Sequence, residues 1–238
     1  MKRVLGYLRR ADEKYSMIDG GDTLVVGLSG GKDSMLLLDA LCLYRRFSRK
    51  DFRIEAYTVD LGFAGFDIGT ISDYCASLGV AHTVIETKIS TIVFELRDER
   101  SPCALCSKLR KGALFTRMKE NGYEKCVFAH HREDCIESFL LSMLYEGRLR
   151  TFTPVTRLSR TGVTLIRPFI LLPEKEIKAA VKRRGVPSVE NPCPVSGETK
   201  RQEMKRLLAH ISASNPKARD RIMTALENTK GYSLWDKP

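Results

Sequence analysis

A glycine-rich segment near the start of the chain has the residue types of a phosphate-binding turn. Its sequence is Ser29-Gly30-Gly31-Lys32-Asp33-Ser34. It follows the apolar run 24–28 and precedes an apolar periodic stretch, 35–43, that predicts a helix. Glycines let the backbone approach a phosphate, and the N–H groups at the start of a helix point toward the anion. Lys32 adds a positive charge, and the two serines add hydroxyl donors. We therefore expect a phosphorylated ligand here.

The spacing of the glycines separates this turn from two common phosphate-binding motifs. A Walker A motif has a longer spacer before its Gly-Lys-Ser/Thr, and the dinucleotide fingerprint spaces its glycines more widely. The segment resembles the PP-loop, the pyrophosphate signature of ATP pyrophosphatases. That resemblance implies that the chain binds ATP, cleaves it between the α- and β-phosphates and activates a carbonyl oxygen as an adenylate.

Three of the seven cysteines are placed to bind a metal or to do redox chemistry. Cys103 and Cys106 form a C-x-x-C pair, which we predict to be a hairpin just before a helix. Cys193 lies between two prolines that fix its backbone. We expect the helix N-terminus and nearby basic residues to lower the pKa of the paired thiols. Those basic residues are Lys108, Arg110 and Lys111. The remaining cysteines lie in apolar or helical patterns and are expected to be packing residues: Cys42, Cys75, Cys126 and Cys135.

Three interpretations of these cysteines stay open on the residues alone. A closed zinc site needs a further Cys or His, and no histidine has ligand spacing to the three. A redox dithiol needs only Cys103 and Cys106. An iron–sulfur cluster on three cysteines leaves one iron open, where sulfur or substrate can bind.

The charge of the chain favours a polyanionic partner. Forty lysines and arginines oppose 29 aspartates and glutamates, which gives a net charge of +11. Because ATP needs one phosphate site and the excess is spread over several clusters, we expect RNA as a second ligand. The clusters are Arg45-Arg46 with Arg49-Lys50, Lys108–Lys111, Arg148 with Arg150, Lys182–Arg184, and Lys200-Arg201 with Lys205-Arg206. No apolar run approaches the ~18 residues of a membrane span, and the charged start has no secretory pattern, so we expect a cytoplasmic protein.

Strand and helix patterns alternate along most of the chain. This order predicts an α/β fold: a parallel, five-stranded, doubly wound sheet with an N-terminal helix and C-terminal helices. The predicted strands are 24–28, 52–60, 81–86, 125–129 and 163–168, and residues 148–162 are predicted to be a loop. We predict three segments: a basic helix at 1–18, a core domain at 19–185, and a cysteine loop with basic helices at 186–238 packed on the core.

Several segments together closely resemble the TtcA family of tRNA 2-thiocytidine synthetases. They are residues 17–22, the cysteine segment 103–112, Ala129-His130-His131-Arg132-Glu133-Asp134, Ile166-Arg167-Pro168-Phe169, 193–197 and 223–228. The resemblance spans nearly the whole chain. The related TtuA-type thiolases have extra cysteine pairs at both ends, and this chain has none. The resemblance implies the PP-loop ATPase fold, of the adenine nucleotide alpha hydrolase-like type, and thiolation of an anticodon-loop cytidine of tRNA at C2. It also implies a 4Fe-4S cluster on Cys103, Cys106 and Cys193.

The remaining site residues follow from this chemistry. The cradle would hold the departing pyrophosphate, with Lys32 as its cation. Asp33 and Asp134 are candidate ligands of Mg²⁺. Asp60 ends the second strand near where the family holds adenosine, and His130 lies at the carboxyl end of the fourth. A cysteine desulfurase or free sulfide is the expected sulfur donor, and a homodimer is left open.

Two other functions fit parts of the sequence. The first is a different PP-loop enzyme on tRNA, such as a thiouridine synthetase or a lysidine synthetase-like ligase; the ligase needs no cysteine cluster. The second is a metal-stabilised RNA-binding module without ATP chemistry, in which the Lys32 side chain would be dispensable.

Overall fold

A computed structural model describes residues 1–97, 102–195 and 200–228 of the chain. The chain divides into two compact units, Met1–His131 with Thr153–Ser196, and Arg132–Phe152 with Gly197–Pro238. The division into 1–18, 19–185 and 186–238 stays a prediction.

The first unit alternates strands and helices in the order predicted from the sequence. Its strands are β1 (Thr23–Leu28), β2 (Arg53–Asp60), β3 (Ala81–Glu86), β4 (Lys125–Val127), β5 (Val155–Arg157) and β6 (Thr164–Ile166). Its helices are α1 (Lys2–Tyr15), α2 (Lys32–Arg45), α3 (Ile68–Ser77), α4 (Ile89–Thr91), α5 (Pro102–Glu120) and α7 (Glu174–Arg184). A π-helical turn, Ile92–Leu96, continues α4.

The described strands form one sheet in the order β3-β2-β1-β4-β6-β5. All neighbours are parallel except β5, which runs antiparallel to β6. The chain runs from β1 outward to β2 and β3, and then crosses back to place β4 on the other side of β1. Such a switch point opens a crevice at the carboxyl ends of the strands, where ligands of doubly wound sheets bind. The phosphate-binding turn directly follows β1.

The predicted fold class is confirmed as a mostly parallel α/β sheet, but the predicted strand number of five is wrong. Within the described residues the sheet has six strands, because β5 lies in the segment 148–162 that was predicted to be a loop. Buried Arg167 fixes this edge strand. Its guanidinium donates to the carbonyl oxygen of Thr153 at 2.7 Å and to the hydroxyl of Thr156 at 3.0 Å.

Apolar side chains on both faces of the sheet are buried by helices. In β1, Val25 packs in a cluster with Leu114, Phe115 and Met118 of α5. Its neighbours Leu24 and Val26, which are also fully buried, point to the opposite face. Helices on both faces require a strand sequence that is apolar throughout, as 24–28 is.

The second unit is helical in its described residues. It contains α6 (Arg132–Glu146), α8 (Lys200–Ser214) and α9 (Ala218–Glu227). Its core is formed by Ile136 and Leu140 of α6 with Met204 and Leu208 of α8. None of the helices in the described part of the chain is long and apolar enough to cross a membrane.

Candidate functional site

The glycine-rich turn is a cradle at the end of β1. The strand ends at Leu28, and α2 begins at Lys32 with Gly31 as its N-cap. Because Gly31 has no side chain to cap the helix, the first amides of α2 remain available to an anion. The hydroxyls of Ser29 and Ser34 lie 3.2 Å apart, and Ser34 donates to the carbonyl of Gly31 at 2.9 Å. The two serines therefore fix the shape of the turn.

Gly30 is required by both conformation and space. Its φ of +76° lies in the left-handed region, which side chains disfavour. A Cβ at this position would lie 3.0 Å from the Cβ of Val189 and 3.2 Å from Cδ1 of Ile71. The carbonyl oxygen of Gly30 also accepts a hydrogen bond from the N–H of Val189 at 2.9 Å. The cradle is thus held by the loop that follows α7.

Lys32 lies in a row of alternating charges. Its ammonium group contacts both carboxylate oxygens of Asp33, at 2.9 and 3.0 Å, and lies 3.8 Å from Oε1 of Glu174. Glu174, in the first turn of α7, also pairs with Lys178 at 3.2 Å. Glu174 was not predicted as a site residue. A glutamate in the first turn of a helix is common and carries no signal of its own, since it simply complements the helix dipole.

A pocket that is partly open to solvent lies beside the cradle. Predicted residues Ser29 and Asp60 line it together, at the ends of β1 and β2. The carboxylate of Asp60 accepts the N–H of Gly62 at 2.9 Å, which orients it within the loop. Further lining residues were not predicted as site residues: Phe63, Phe66, Arg110, Asn191 and Pro192. The aromatic rings and the polar rim fit the base and sugar of a nucleotide.

The C-x-x-C pair lies within a helix, and the predicted hairpin is wrong. Cys103 and Cys106 belong to the first turns of α5, which begins at Pro102. Proline is favoured at the first position of a helix, and Pro102 takes that position in α5. Cys103 is exposed and Cys106 is half-buried.

The expected lowering of the thiol pKa is wrong for Cys106. Burial raises the pKa of Cys106, and the positive charge of Arg110 opposes this only in part. The neighbouring Cys193 and Cys103 raise this pKa further. The three predicted thiols therefore lie close enough to interact electrostatically. The backbone N–H of Cys193 donates to Oδ1 of Asn191 at 3.1 Å, which orients the loop that bears the third thiol.

Three thiols are a donor set that suits an iron–sulfur cluster, because each thiolate can bind a different iron. Cys103, Cys106 and Cys193 are all free thiols with solvent access. The other four cysteines are buried, as expected of packing residues. Burial raises the pKa of Cys42 and of Cys75 to about 11.

Two predicted residues follow β4. His130 lies in the first unit, and its ring contacts the ring of Phe128 edge-on, with centroids 5.7 Å apart. Asp134 belongs to the second unit, in the first turn of α6, where its carboxylate lies 3.8 Å from the guanidinium of Arg201. The structure therefore groups the cradle, Asp60, the three cysteines and His130 in one unit, and Asp134 in the other.

The fold and the cradle together define a class: a doubly wound nucleotide-binding protein with a pyrophosphate turn after its first strand. Comparison with known proteins supports this class. Residues 7–210 match the family described as PP-loop domain. A relative from Francisella tularensis subsp. tularensis, named tRNA-cytidine(32) 2-sulfurtransferase 2, is 32% identical over 241 residues; the match covers 99% of this chain and 95% of the relative. A relative from Francisella philomiragia, named tRNA-cytidine(32) 2-sulfurtransferase 1, is also 32% identical and is covered to 93%.

A solved structure has a similar fold. The U34-tRNA thiolase NcsA from Methanococcus maripaludis, determined with its [4Fe-4S] cluster, matches with a TM-score of 0.80 at 20% identity. The match covers 95% of this chain and 77% of that one. On the sequence matches, this chain belongs to the PP-loop domain family, within the group of the tRNA-cytidine(32) 2-sulfurtransferases.

Proposed function

We propose that this protein is an ATP-dependent tRNA thiolase that replaces the C2 oxygen of an anticodon-loop cytidine, position 32, with sulfur. The full-length relatives named for this reaction support the substrate. One structural observation supports it most strongly: the nucleotide pocket and the three thiols share elements. Asn191 lines the pocket two residues before Cys193, and Arg110 lines it one helical turn after Cys106. An activated nucleotide and a sulfur carrier would meet there.

The first step needs a group that stabilises the leaving pyrophosphate. The cytidine carbonyl oxygen attacks the α-phosphorus of ATP, and the bond to the β-phosphate oxygen breaks. Negative charge then develops on the pyrophosphate, where the amides of Gly31 and Lys32 and the Lys32 ammonium can receive it. Lys32 must leave the carboxylate of Asp33 to do so. Asp33 is then free to bind Mg²⁺, which bridges phosphate oxygens through one or two carboxylates.

The second step needs sulfur and a route for AMP to leave. Cys103, Cys106 and Cys193 would hold a 4Fe-4S cluster, which supplies an open iron site for sulfur when it is bound. Hydrosulfide (HS⁻) bonds to C2 with its own electron pair and gives up its proton to solvent, the C2–oxygen bond breaks, and AMP leaves with the former carbonyl oxygen. Asp60 and His130 are proposed to contact the nucleotide, and the role of Asp134 as a ligand of Mg²⁺ stays a prediction from the sequence.

The partners of the reaction complete the proposal. The basic clusters would bind the tRNA through its phosphates, and a cysteine desulfurase or sulfide would supply sulfur. A cytoplasmic location is part of the proposal because the substrate tRNA is found there. Homodimer formation stays a prediction.

The test is thiolation of transcribed tRNA by the purified, anaerobically reconstituted protein. We expect an iron–sulfur absorbance band and 2-thiocytidine, read by mass spectrometry of nucleosides, that depends on ATP, Mg²⁺ and sulfide. If pyrophosphate is released and an amine, rather than sulfur, becomes attached to the cytidine, the protein is a ligase instead. RNA binding without pyrophosphate release would identify a binding module.

A further inference from the structure

The loop that follows α7 contacts the cradle directly. We call residues 186–193 the thiol loop, because it ends at Cys193. Its Val189 donates a backbone hydrogen bond to the carbonyl of Gly30 at 2.9 Å and occupies the space that a side chain at Gly30 would need. Movement of the thiol loop would therefore change the wall of the cradle.

Asn191 contacts both ligand sites. It lines the nucleotide pocket with Ser29 and Asp60. Its Oδ1 also accepts the N–H of Cys193 at 3.1 Å, which holds the backbone of the third thiol. A nucleotide that packs against Asn191 would fix this side chain, and a fixed side chain would restrict Cys193.

A second contact joins the two sites from α5. Arg110 lines the same pocket and lies one helical turn after Cys106 in α5. The pocket is therefore lined by residues of the two elements that bear the three thiols.

We propose that Asn191 is a positioning residue that couples the two sites, so that ATP and the cluster each bind more tightly when the other is present. This inference rests on the proposed function, since it needs both ligands. The ligand that binds first restricts the thiol loop. Binding of the second ligand then costs less conformational entropy, because the loop is already restricted. The coupling must be reciprocal: the factor by which the cluster tightens ATP equals the factor by which ATP tightens the cluster.

The alternative role for Asn191 is a purely local one, in which its side chain only shapes the turn before Cys193. The two roles differ in one measurable quantity, the ratio of ATP affinities of the cluster-free and the cluster-loaded protein. With a local role, the Asn191→Ala substitution would change the cluster content but would not change the ratio of the two ATP affinities. A coupling role gives a ratio above one that depends on Asn191.

The experiment is anaerobic calorimetry with Mg²⁺ and α,β-methylene ATP, on cluster-free and cluster-loaded protein. For the wild type we expect about 10-fold tighter binding in the loaded form, within the usual range of coupling between sites. Asn191→Ala should bring the ratio close to one. Asn191→Asp keeps the acceptor for the Cys193 N–H and should keep the ratio, even if its charge weakens both affinities. Glu190→Ala, next to it on the exposed side of the loop, is the matched control and should behave as wild type.

A second measurement covers the case in which Asn191→Ala takes up no cluster. The rate of iron release to a chelator should fall several-fold when the ATP analogue is added to the wild type, and by a similar factor in Asn191→Asp, which keeps the acceptor for the Cys193 N–H. An unchanged rate of iron release in the wild type would overturn the inference. A wild type that binds both ligands with equal ATP affinities would overturn the inference and leave the proposed function intact. A wild type that takes up no cluster, or does not bind ATP, would contradict both.

Discussion

The guanidinium of Arg184 contacts both carboxylate oxygens of Asp39, at 2.6 and 3.0 Å. Asp39 is buried in the middle of α2, and Arg184 is the last residue of α7. The same two helices are joined at their starts by Lys32 and Glu174. The pairing of Asp39 with Arg184 therefore fixes the helix that holds the cradle against the helix that precedes the thiol loop.

Arg184→Ala should lower the free energy of unfolding by about 2 kcal/mol, the range of a hydrogen bond to a charged group, reduced because Arg184 is 41% exposed. The cost arises because the carboxylate of Asp39 is left buried without its counter-ion. Urea denaturation followed by circular dichroism measures it. The neighbouring Arg183→Ala is the control and should leave the midpoint unchanged. Equal midpoints for both variants would show that the pair contributes nothing.

Lys32→Ala should abolish pyrophosphate release while the protein stays folded. The ammonium group is the cationic side chain of the cradle, and loss of one donor to a developing charge costs at least about 100-fold in rate. Pyrophosphate release in the presence of tRNA measures the effect. Lys178→Ala is the matched control, because Lys178 belongs to the same row of charges through Glu174 but not to the cradle. Wild-type release by Lys32→Ala would refute the cradle assignment.

The basic residues near the end of α7 should bind tRNA phosphates. Lys182 and Arg183 are exposed, and within the described residues neither has an ion-pair partner. The double variant Lys182→Ala/Arg183→Ala should weaken tRNA binding and flatten its dependence on salt, because fewer counterions are released. Filter binding between low and moderate salt gives the slope. An unchanged slope would place the tRNA surface elsewhere.

Much of the fold followed from local pattern. The apolar strands and the glycine turn stand in the predicted order because a strand buried on both faces must be apolar, and a phosphate turn must have glycine. The edge strand β5 could not be predicted in this way. It is three residues long in a basic segment, and it is fixed by the side chain of Arg167, which directly follows the neighbouring strand β6.

The missed site residues share a different reason. Asn191 and Glu174 lie more than a hundred positions from the cradle in the chain, and their contacts depend on how α7 packs against α2. Neither residue type has a spacing signal. The predicted direction of the Cys106 pKa shift was wrong because the sequence shows the basic residues near this thiol but does not show its burial. Burial has the larger effect on the pKa and raises it.

Acid should destabilise the first unit through His82. Burial lowers the pKa of this histidine, whose ring nitrogens lie 2.9 Å from the Ser72 hydroxyl and 2.8 Å from the Thr58 hydroxyl. The unfolded chain takes up a proton near the ordinary pKa of 6.5, and the folded chain does so only at lower pH. The contribution to stability is therefore complete above pH 6.5 and is lost as pH falls below it. Urea denaturation across pH 5 to 8 should show a shallower loss for His82→Gln than for wild type. Ser72→Ala keeps the titrating ring and should keep the wild-type slope at lower overall stability.

Cys103, Cys106 and Cys193 should act as one unit. A cluster with three protein ligands is held by each of them, and two thiolates cannot retain it firmly. Each Cys→Ala variant should therefore lose iron, sulfide and tRNA thiolation together, measured on anaerobically reconstituted protein. Cys126→Ala and Cys135→Ala are the controls. Both residues are buried away from the pocket lining, so both variants should keep cluster and thiolation.

ATP separates loss of the cluster from loss of the fold in these variants. All three Cys→Ala variants should still bind ATP, because the cradle amides and Lys32 are untouched. Their affinity should equal that of the cluster-free wild type, since coupling through Asn191 needs the cluster. Full iron content and full thiolation in Cys193→Ala would refute the three-cysteine cluster. A redox dithiol formed by Cys103 and Cys106 would then be the better assignment. In that case only the Cys103→Ala and Cys106→Ala variants should lose thiolation activity.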